Sequence, residues 1–586
     1  MRQWMVAAKK ADFYAIAEKF HVDPVVARII RNREVIGEKN IRIYLGGNLS
    51  DLSDPHQMKD MDRLVEILAQ KIRKQVHIRI IGDYDVDGVT SSHLFLMALR
   101  RVGAKVDVVI PHRIQDGYGL SLHLLQQAKE DGVDTILTCD NGIAAIDEIA
   151  WAKAQKMTVL VTDHHAVPFE EHEGRRTEKK SLADAVVNPH QQDCGYPYKE
   201  LCGAGVAWNV IRVLYENYDM DKREAEDLLD FVAMATVCDV MSLTGENRIL
   251  VKEGLKRIRH TKNIGLQALM QACNVQPENI SAYHFGYVLG PCVNATGRLD
   301  TARHALRLFE TGQETEAEEI ARDLVDLNQE RKELTLQGVE MAKKLCEEGG
   351  YENDPVLVLF LPDVHESIAG LIAGRIREMY NRPVFVLTRG EEGVKGSGRS
   401  TENYSMYENM CGCAELFTKF GGHPMAAGLS LPEENVEKFR RKINENCPLT
   451  VEEVCPDIHI DMAMPVGYAS TELVHQFALL EPFGKDNPSP LFADRNLSIS
   501  RMWLIGKNRN VLRMSVLSEY GQPVPVIFFG DVETLFAYFT EKFGQKEVEN
   551  ALHGRKNRIL FSMVYTAKID FYQGNENLQL EMKYYR

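Results

Sequence analysis

From about residue 76 to 190, short apolar runs alternate with stretches of helical period. The runs are "VHIRIIGD", "KVDVVIP", "DTILTCD", "MTVLVTD" and "DAVVNP"; between them lie segments such as "VTSSHLFLMALRRVG" and "IAAIDEIAWAKAQ". Strand-length runs joined by helices predict a parallel sheet with helices on its faces. More helical segments follow, among them "GAGVAWNVIRVLYENY" and "EAEDLLDFVAMATVCDV". A charged stretch from about 313 to 347 has no proline and one glycine, Gly338, which predicts a single long helix connecting two lobes. A second α/β unit starts at "DPVLVLFLP" and runs through the helix "SIAGLIAGRIREMY", the strand "RPVFVLT" and a loop "GVKGSGRS" to "FGGHPMAAGLSL". Beyond "LEPFGKDNPSPLF" the pattern becomes short alternating strands with Gly/Asn turns, predicting an all-β, OB-like barrel. These breaks divide the chain into an extension (1–50), a first α/β domain (51–265), a helical region with the connector (266–347), a second α/β domain (348–450) and the β module (451–586).

Length supports this division, since 586 residues suit about three or four domains. No apolar stretch approaches the ~20 residues of a membrane span, and the charged start "MRQWMVAAKKADFYAIAEKF" does not resemble a signal peptide. Eleven scattered cysteines, an odd number, suit reduced thiols in a cytoplasm. A net charge of −15 argues against a nucleic-acid binder when taken alone, but a basic groove can sit on an acidic body, and acidic residues at a metal site enter the same sum.

The candidate chemistry begins in "IIGDYDVDGVTSS", where Asp83, Asp85 and Asp87 crowd into five residues. An EF-hand loop would need Glu at its twelfth position, which is Leu94, and a helix where "VHIRII" reads as strand. A helix N-cap explains one aspartate and leaves two. A cation offsets the repulsion of all three. Ligands of parallel α/β sheets bind outside the carboxyl ends of the strands, and those ends repeat the theme. The third strand ends in Asp140 ("TCDNG"), the fourth in Asp163, His164 and His165 ("VTDHH"), and a later helix in Asp239 ("ATVCDVMSL"). Carboxylates with imidazole suit Mn²⁺ or Mg²⁺. The donors suffice for two ions about 3.5–4 Å apart, the arrangement that stabilises attacking and leaving oxygens in phosphoester hydrolysis.

The motifs "DYDVDG", "CDNG", "DHH" and "CDV", in that order, resemble those of the DHH phosphoesterase superfamily. "PHRIQDGYGL", "NATGRLDTA", "HESIAGLIAGRIRE", "GSGRS", "FGGHPMAAGLSL" and "LEPFGKDNPSPLF" resemble the RecJ family of single-strand-specific DNA exonucleases within it. The likeness runs from about residue 20 to at least 495. It implies a DHH domain joined by a long helix to a DHH-associated domain, an OB-like domain, and Mg²⁺- or Mn²⁺-dependent hydrolysis of single-stranded DNA from the 5′ end to mononucleotides. DNA repair and recombination are the implied setting, with a helicase and a single-strand-binding protein as expected partners.

The resemblance also implies roles. Asp140 bridges two ions, Asp85 serves one, and Asp87, His164 and Asp239 serve the other. Some relatives carry a His ligand four residues before the position of Asp85, where this chain has Ile81; Asp83 supplies that ligand or stands behind it. His165 approaches the scissile phosphate and Asp163 orients a neighbouring His. By itself "GVKGSGRS" reads better as an ordinary glycine loop, but the resemblance implies that its backbone N–H groups, Ser397, Gly398 and Arg399 bind a terminal phosphate. Arg113 and Arg298 are further phosphate candidates, and His365 and His423 face the metal cleft or simply pack.

Two positions depart from the family. "PCVNATGRL" has Cys292 where an arginine is usual, leaving Arg298 or Arg303 to compensate, and Val364 stands where a Trp is usual before "HESIAG". In the β module, Trp503, Phe528, Phe529, Phe561, Tyr565, Phe571 and Tyr572 either stack on bases or fill the barrel, and Lys507, Arg509, Arg513, Arg555, Lys556 and Arg558 form candidate basic stretches. Cys411, Cys413, Cys447, Cys455 and His459 lack a zinc spacing, and "GGHPMAAG" lacks the dinucleotide glycine order. The rival readings are another DHH hydrolase acting on short oligonucleotides, cyclic dinucleotides or pyrophosphate, and a silent DNA-binding scaffold. The long β module disfavours the first and the complete motifs disfavour the second.

Overall fold

The computed structural model describes residues 3–586 apart from 114, 115, 118, 173, 174, 300, 391, 392, 456, 507, 508 and 573. Part of "PHRIQDGYGL" and Lys507 therefore lie outside the described residues, as does the side chain of Tyr572. Contacts divide the chain into two units: Leu52–Ser242 with Glu246–Pro456, and Gln3–Asp51 with Leu243–Gly245 and Asp457–Arg586.

In the first unit the alternating segment folds as predicted. Strands β1 (Ile78–Ile81), β2 (Val106–Val109), β3 (Thr135–Cys139), β4 (Thr158–Thr162) and β5 (Ala185–Val187) form one parallel sheet in the order β2-β1-β3-β4-β5. Strands β1 and β3 are buried throughout, as continuous apolar runs in a helix-covered sheet should be. One face packs Ile81, Ile136, Val159 and Val161 against Leu125, Ile149 and Ala152. Helices α1 (Val86–Arg101), α2 (Gly203–Asn217) and α3 (Leu229–Cys238) are buried over most of their length because neighbours cover them on most sides. Helix α4 (Gly290–Leu299) follows, and then the predicted connector, α5 (Glu314–Glu348), 35 residues and so about 52 Å long. Its one glycine has a packing reason: a Cβ on Gly338 would meet Ile372 Cδ1 at 2.3 Å, so helix α6 (Glu366–Tyr380) crosses α5 there.

The second lobe is a five-stranded mixed sheet of β6 (Leu357–Phe360), β7 (Val384–Gly390), β8 (Gly393–Arg399), β9 (Lys419–His423) and β10 (Ala426–Leu431), ordered β9-β10-β8-β7-β6. Here one expectation is corrected. "GVKGSGRS" is not a loop; Gly393–Arg399 is strand β8, paired on both edges. Its glycines leave room for neighbours: a Cβ on Gly396 would meet Leu387 Cδ2 at 2.4 Å, and one on Gly398 would meet Met406 Sδ at 2.6 Å.

The second unit is built on a barrel of β11 (Met462–Ala463), β12 (Phe492–Ile505), β13 (Val511–Leu517), β14 (Pro523–Phe528), β15 (Leu560–Tyr572) and β16 (Asn575–Tyr585). It closes because β12 pairs with both β13 and β15, and β16 joins β14 to β15. Two helices, Val532–Phe543 and Gln545–Leu552, interrupt the run of strands, burying Leu535, Phe539 and Val548 on the barrel core. The N-terminal helices pack Val26, Ile29 and Ile30 into the same core.

Candidate active site

Strands β1, β3 and β4 are neighbours in the sheet, so their carboxyl ends place Asp83, Asp140 and Asp163 side by side. Helix α1 starts three residues beyond Asp83 with Asp85 as its N-cap, whose carboxylate accepts from Gly88 N at 3.0 Å. Gly88 is required by that turn, because a Cβ would lie 2.5 Å from Asp83 N. Asp87, in the first turn, points at the start of α2 and accepts from Gly203 N at 2.6 Å and Ala204 N at 2.7 Å. The α2 dipole favours that negative charge. Asp140 is held at φ 61°, rarely adopted outside glycine, and a Cβ on Gly203 would press on its own Cβ at 2.6 Å. Asn141 ties β3 to β1 by donating to Ile81 O at 3.0 Å. Asp239 caps the C-terminus of α3.

Three sets of potential ligand atoms each fall within 4.8 Å: those of Asp83, Asp85 and Asp140; of Asp87, His164 and Asp239; and of Asp140, His164 and His165. Asp140 and His164 are each shared by two sets, which describes two adjacent positions with common ligands. His164 Nε2 lies 3.0 Å from Asp140 Oδ1, 3.6 Å from Asp239 Oδ2 and 3.7 Å from Asp87 Oδ2, yet it is buried without a hydrogen-bond partner. Burial, then neighbouring carboxylates, pushes Asp83 and Asp140 well above the usual carboxyl range and raises Asp85 as well. Buried like charges with an unpartnered imidazole nitrogen among them fit divalent cations, which offset the repulsion and take the nitrogen as a ligand.

Asp163 plays a different part. Its carboxylate accepts from Ile143 N, His164 N, His165 N and His165 Nδ1 at 2.9, 2.7, 3.1 and 2.8 Å. Burial opposes its charge, but these partners outweigh burial and hold Asp163 below the usual range. Burial likewise opposes charge on His165, but the Asp163 bond and the surrounding carboxylates lift it to about 9. The Nδ1 contact with Asp163 fixes the orientation of the His165 ring.

Beside the acidic rim stands a cationic cluster. Arg113 lies over the Tyr84 ring at 5.0 Å, Arg298 Nη1 donates to Ser367 O at 2.6 Å, and Arg399 Nη1 donates to Gly398 O at 2.7 Å and Ser397 Oγ at 3.3 Å. Burial and then Arg113, Arg331 and Arg399 pull Arg298 down to about 10; burial and then Arg113 and Arg377 lower Arg399. Among the described residues no carboxylate forms an ion pair with any of the three. A cavity of about 460 Å³ opens beside them, lined by Tyr84, Arg113, Ser367, Ser397, Lys419 and the ion pair of Lys395 with Glu366 at 2.8 Å. Three guanidinium groups brought near one another without a carboxylate ion-paired to them suit an anion.

Family models match three stretches: the DHH family, N-terminal domain, over residues 77–236, the DHHA1 domain over 353–447 and the RecJ OB domain over 460–584. The chain is 32% identical over 582 residues to the single-stranded-DNA-specific exonuclease RecJ of Haemophilus influenzae, across 96% of each protein. The chain belongs to the RecJ family. The Escherichia coli RecJ is also 32% identical, across 95% of each chain, and the Bacillus subtilis RecJ is 33% identical over 87% of this chain and 63% of its own length. The crystal structure of Thermus thermophilus RecJ in complex with Mn²⁺ superposes with TM-score 0.81 at 25% identity, covering all of this chain and 79% of that one. A manganese-bound exonuclease RecJ gives 0.57 at 32% identity, covering 66% of this chain and 94% of that one.

The remaining sequence candidates separate. Ser397, Gly398 and Arg399 sit on β8, with Gly398 packed inward. His365 is the exposed N-cap of α6, its Nδ1 bonded to Ser367 Oγ at 2.7 Å, and His423 ends β9 exposed. Neither belongs to a ligand set. Cys292 is buried, 3.7 Å from Cys273 Sγ and accepting from Asn328 Nδ2 at 3.4 Å, so it packs against α5. Arg303 is exposed, and Arg331, bonded to the same Asn328, adds its charge near Arg298. Val364 packs in the core of the second lobe. Sequence reasoning passed over Gly203 and Ala204, whose signal was the small-residue run "CGAG" opening a helix, and Asn294, which accepts from Val86 N at 3.2 Å at the start of α1.

Proposed function

We propose that this chain is a metal-dependent exonuclease that hydrolyses single-stranded DNA from the 5′ end to 5′-mononucleotides in DNA repair and recombination. The observation that carries the reading is the adjacency of a two-position acidic rim and an arginine pocket, joined by Tyr84 between Asp83 and Asp85. Asp140 stands between the two cation positions, Asp83 and Asp85 serve one, and Asp87, His164 and Asp239 serve the other. Mn²⁺ or Mg²⁺ bound there lowers the pKa of water and offsets charge on the attacking and leaving oxygens. Arg113, Arg298, Arg399 and Ser397 grip the terminal phosphate, which sets the polarity by fixing how far the strand enters. Asp163 holds the two histidines in place, and His165 turns Nε2 to the scissile phosphate. His365 and His423 contribute from the second lobe.

The barrel supplies grip. Phe528, Phe561 and Tyr565 fill its core, whereas Phe529 and Phe571 are exposed, as are Arg509, Arg555, Lys556 and Arg558. Exposed rings with cations suit a single strand. A helicase that opens duplexes and a single-strand-binding protein fit as partners. Among the described residues no helix is long and apolar enough to cross a membrane, and the eleven cysteines are unpaired, which supports a cytoplasmic setting.

The test is digestion of a long 5′-phosphorylated single strand labelled at either end, with and without Mn²⁺, beside a dinucleotide. A 5′ label released first as mononucleotide, only with metal, is expected. Cleavage of the dinucleotide alone would replace this reading with an oligonucleotide hydrolase.

A further inference from the structure

Helix α4 is entered through an unusual turn. Ala282–His284 is α-helical, Phe285–Leu289 is π-helical, and α4 continues from Gly290. π turns are rare and are frequent at functional sites. This one buries Phe285 and Leu289 but leaves Tyr283 and Tyr287 62% and 72% exposed. The two rings stack on each other, centroids 5.1 Å apart at 22°.

The position of the pair matters. The π turn packs on the end of α3: Cys238 Sγ donates to Phe285 O at 3.3 Å, and a Cβ on Gly290 would lie 2.3 Å from that sulfur. Asp239 of the acidic rim follows Cys238 directly. Val240, next again, is 63% exposed at φ 55°, a conformation β-branched residues avoid. The far end of the same helical run carries Arg298 of the anion pocket. Tyr287 and Arg298 are eleven residues apart, about 16 Å along a helix axis. That distance spans no more than about five stacked nucleotides at 3.4 Å each.

We propose that Tyr283 and Tyr287 form a base-stacking platform for the substrate strand, engaging bases on the 3′ side of the scissile bond within the first few nucleotides. The proposal rests on the reading above, with the 5′ phosphate in the arginine pocket. Every base offers a flat face, so such a platform tolerates any sequence. It also favours single strands, because bases in a duplex already have both faces stacked. The mutual stacking of the rings holds them in place before DNA arrives, which reduces the entropy lost on binding.

Affinity for a 5′-phosphorylated oligodeoxynucleotide, measured without divalent metal, tests this independently of catalysis. Tyr283→Ala/Tyr287→Ala should weaken binding by about tenfold or more, and Tyr283→Phe/Tyr287→Phe should stay within about twofold of the parent because stacking survives. Mn²⁺-dependent cleavage of a dinucleotide, too short to reach the rings, should be unchanged in the Ala pair. In the parent protein, 5-iododeoxyuridine at nucleotides 2 to 5 should photocrosslink to the 282–289 segment. Unchanged affinity in the Ala pair, Phe variants as weak as Ala, equal loss on the dinucleotide, or absence of the crosslink would each overturn the platform. Should the Ala pair not fold, the crosslink decides. A protein that binds and crosslinks but cuts no DNA would instead refute the exonuclease reading.

Discussion

The acidic rim and the arginine pocket lie on either side of Tyr84 and are built on opposite plans. The rim gathers Asp83, Asp85, Asp87 and Asp140 and steadies the first three with backbone N–H groups from Gly119, Gly88, Gly203 and Ala204. The pocket gathers Arg113, Arg298 and Arg399 and steadies the last two with the carbonyls of Ser367 and Gly398. In neither place does the scaffold supply an opposite full charge to most of the groups it collects. Backbone dipoles orient the side chains without neutralising them, so each cluster keeps a net charge that a ligand of opposite sign removes. A buried like-charge cluster thus states the sign of its ligand: cation at the rim, anion in the pocket.

The sharpest test removes the shared carboxylate. Asp140→Asn should lower cleavage of single-stranded DNA by about three orders of magnitude. The melting midpoint of the metal-free protein should hold or rise, since one of several repelling charges is gone, and the stabilisation by Mn²⁺ should shrink. A variant that still cuts would break the comparison at once. On the other side of Tyr84, Arg399→Ala should raise KM by about 10- to 100-fold for 5′-phosphorylated strands. Strands ending in a 5′ hydroxyl should be unaffected, and equal losses on both would show a structural role instead.

Asp230 provides a control, a buried carboxylate outside the rim. It accepts from Thr261 Oγ1 at 2.6 Å and Phe231 N at 2.8 Å, and burial raises it to about 6. A carboxyl raised on folding favours the neutral form, so its stability contribution is full below about pH 4 and lost as pH rises through about 6. Asp230→Asn should therefore gain on the parent by about 2–3 kcal/mol between pH 4 and 7, read as diverging melting midpoints. Mn²⁺ should not close that gap, as it should for rim carboxylates. The smallest effect belongs to the barrel. Arg555→Ala/Lys556→Ala should weaken binding of a long single strand only a few-fold and reduce its salt slope by about 1.4.

Much of the rim was legible in the chain because strands, their ends and acidic punctuation are local. Short apolar runs ending in Asp83, Asp140 and Asp163 read directly as strand ends, and the glycine-poor stretch before Gly349 read as one helix. "GVKGSGRS" misled because glycine clusters normally mark turns, whereas these glycines admit Leu387, Leu429, Phe385 and Met406 against a paired strand. Gly203 and Ala204 were missed for a related reason: their contribution is backbone N–H, which no side-chain pattern advertises. The C-terminal aromatics divided into core and surface only with the barrel closed, since strand alternation shifts at the bulges in β12.

Taken alone, the amino-acid sequence determined which segments become strands and helices, the sign of the charge at the strand ends, and the kind of ion that charge requires. All of these depend on residues close together in the chain. Tertiary structure decided that β1, β3 and β4 are neighbours, that Asp239 and His164 meet Asp87, and that three arginines from distant segments come near one another. Those facts follow from sheet order and helix packing, which arise from contacts between residues far apart in the chain.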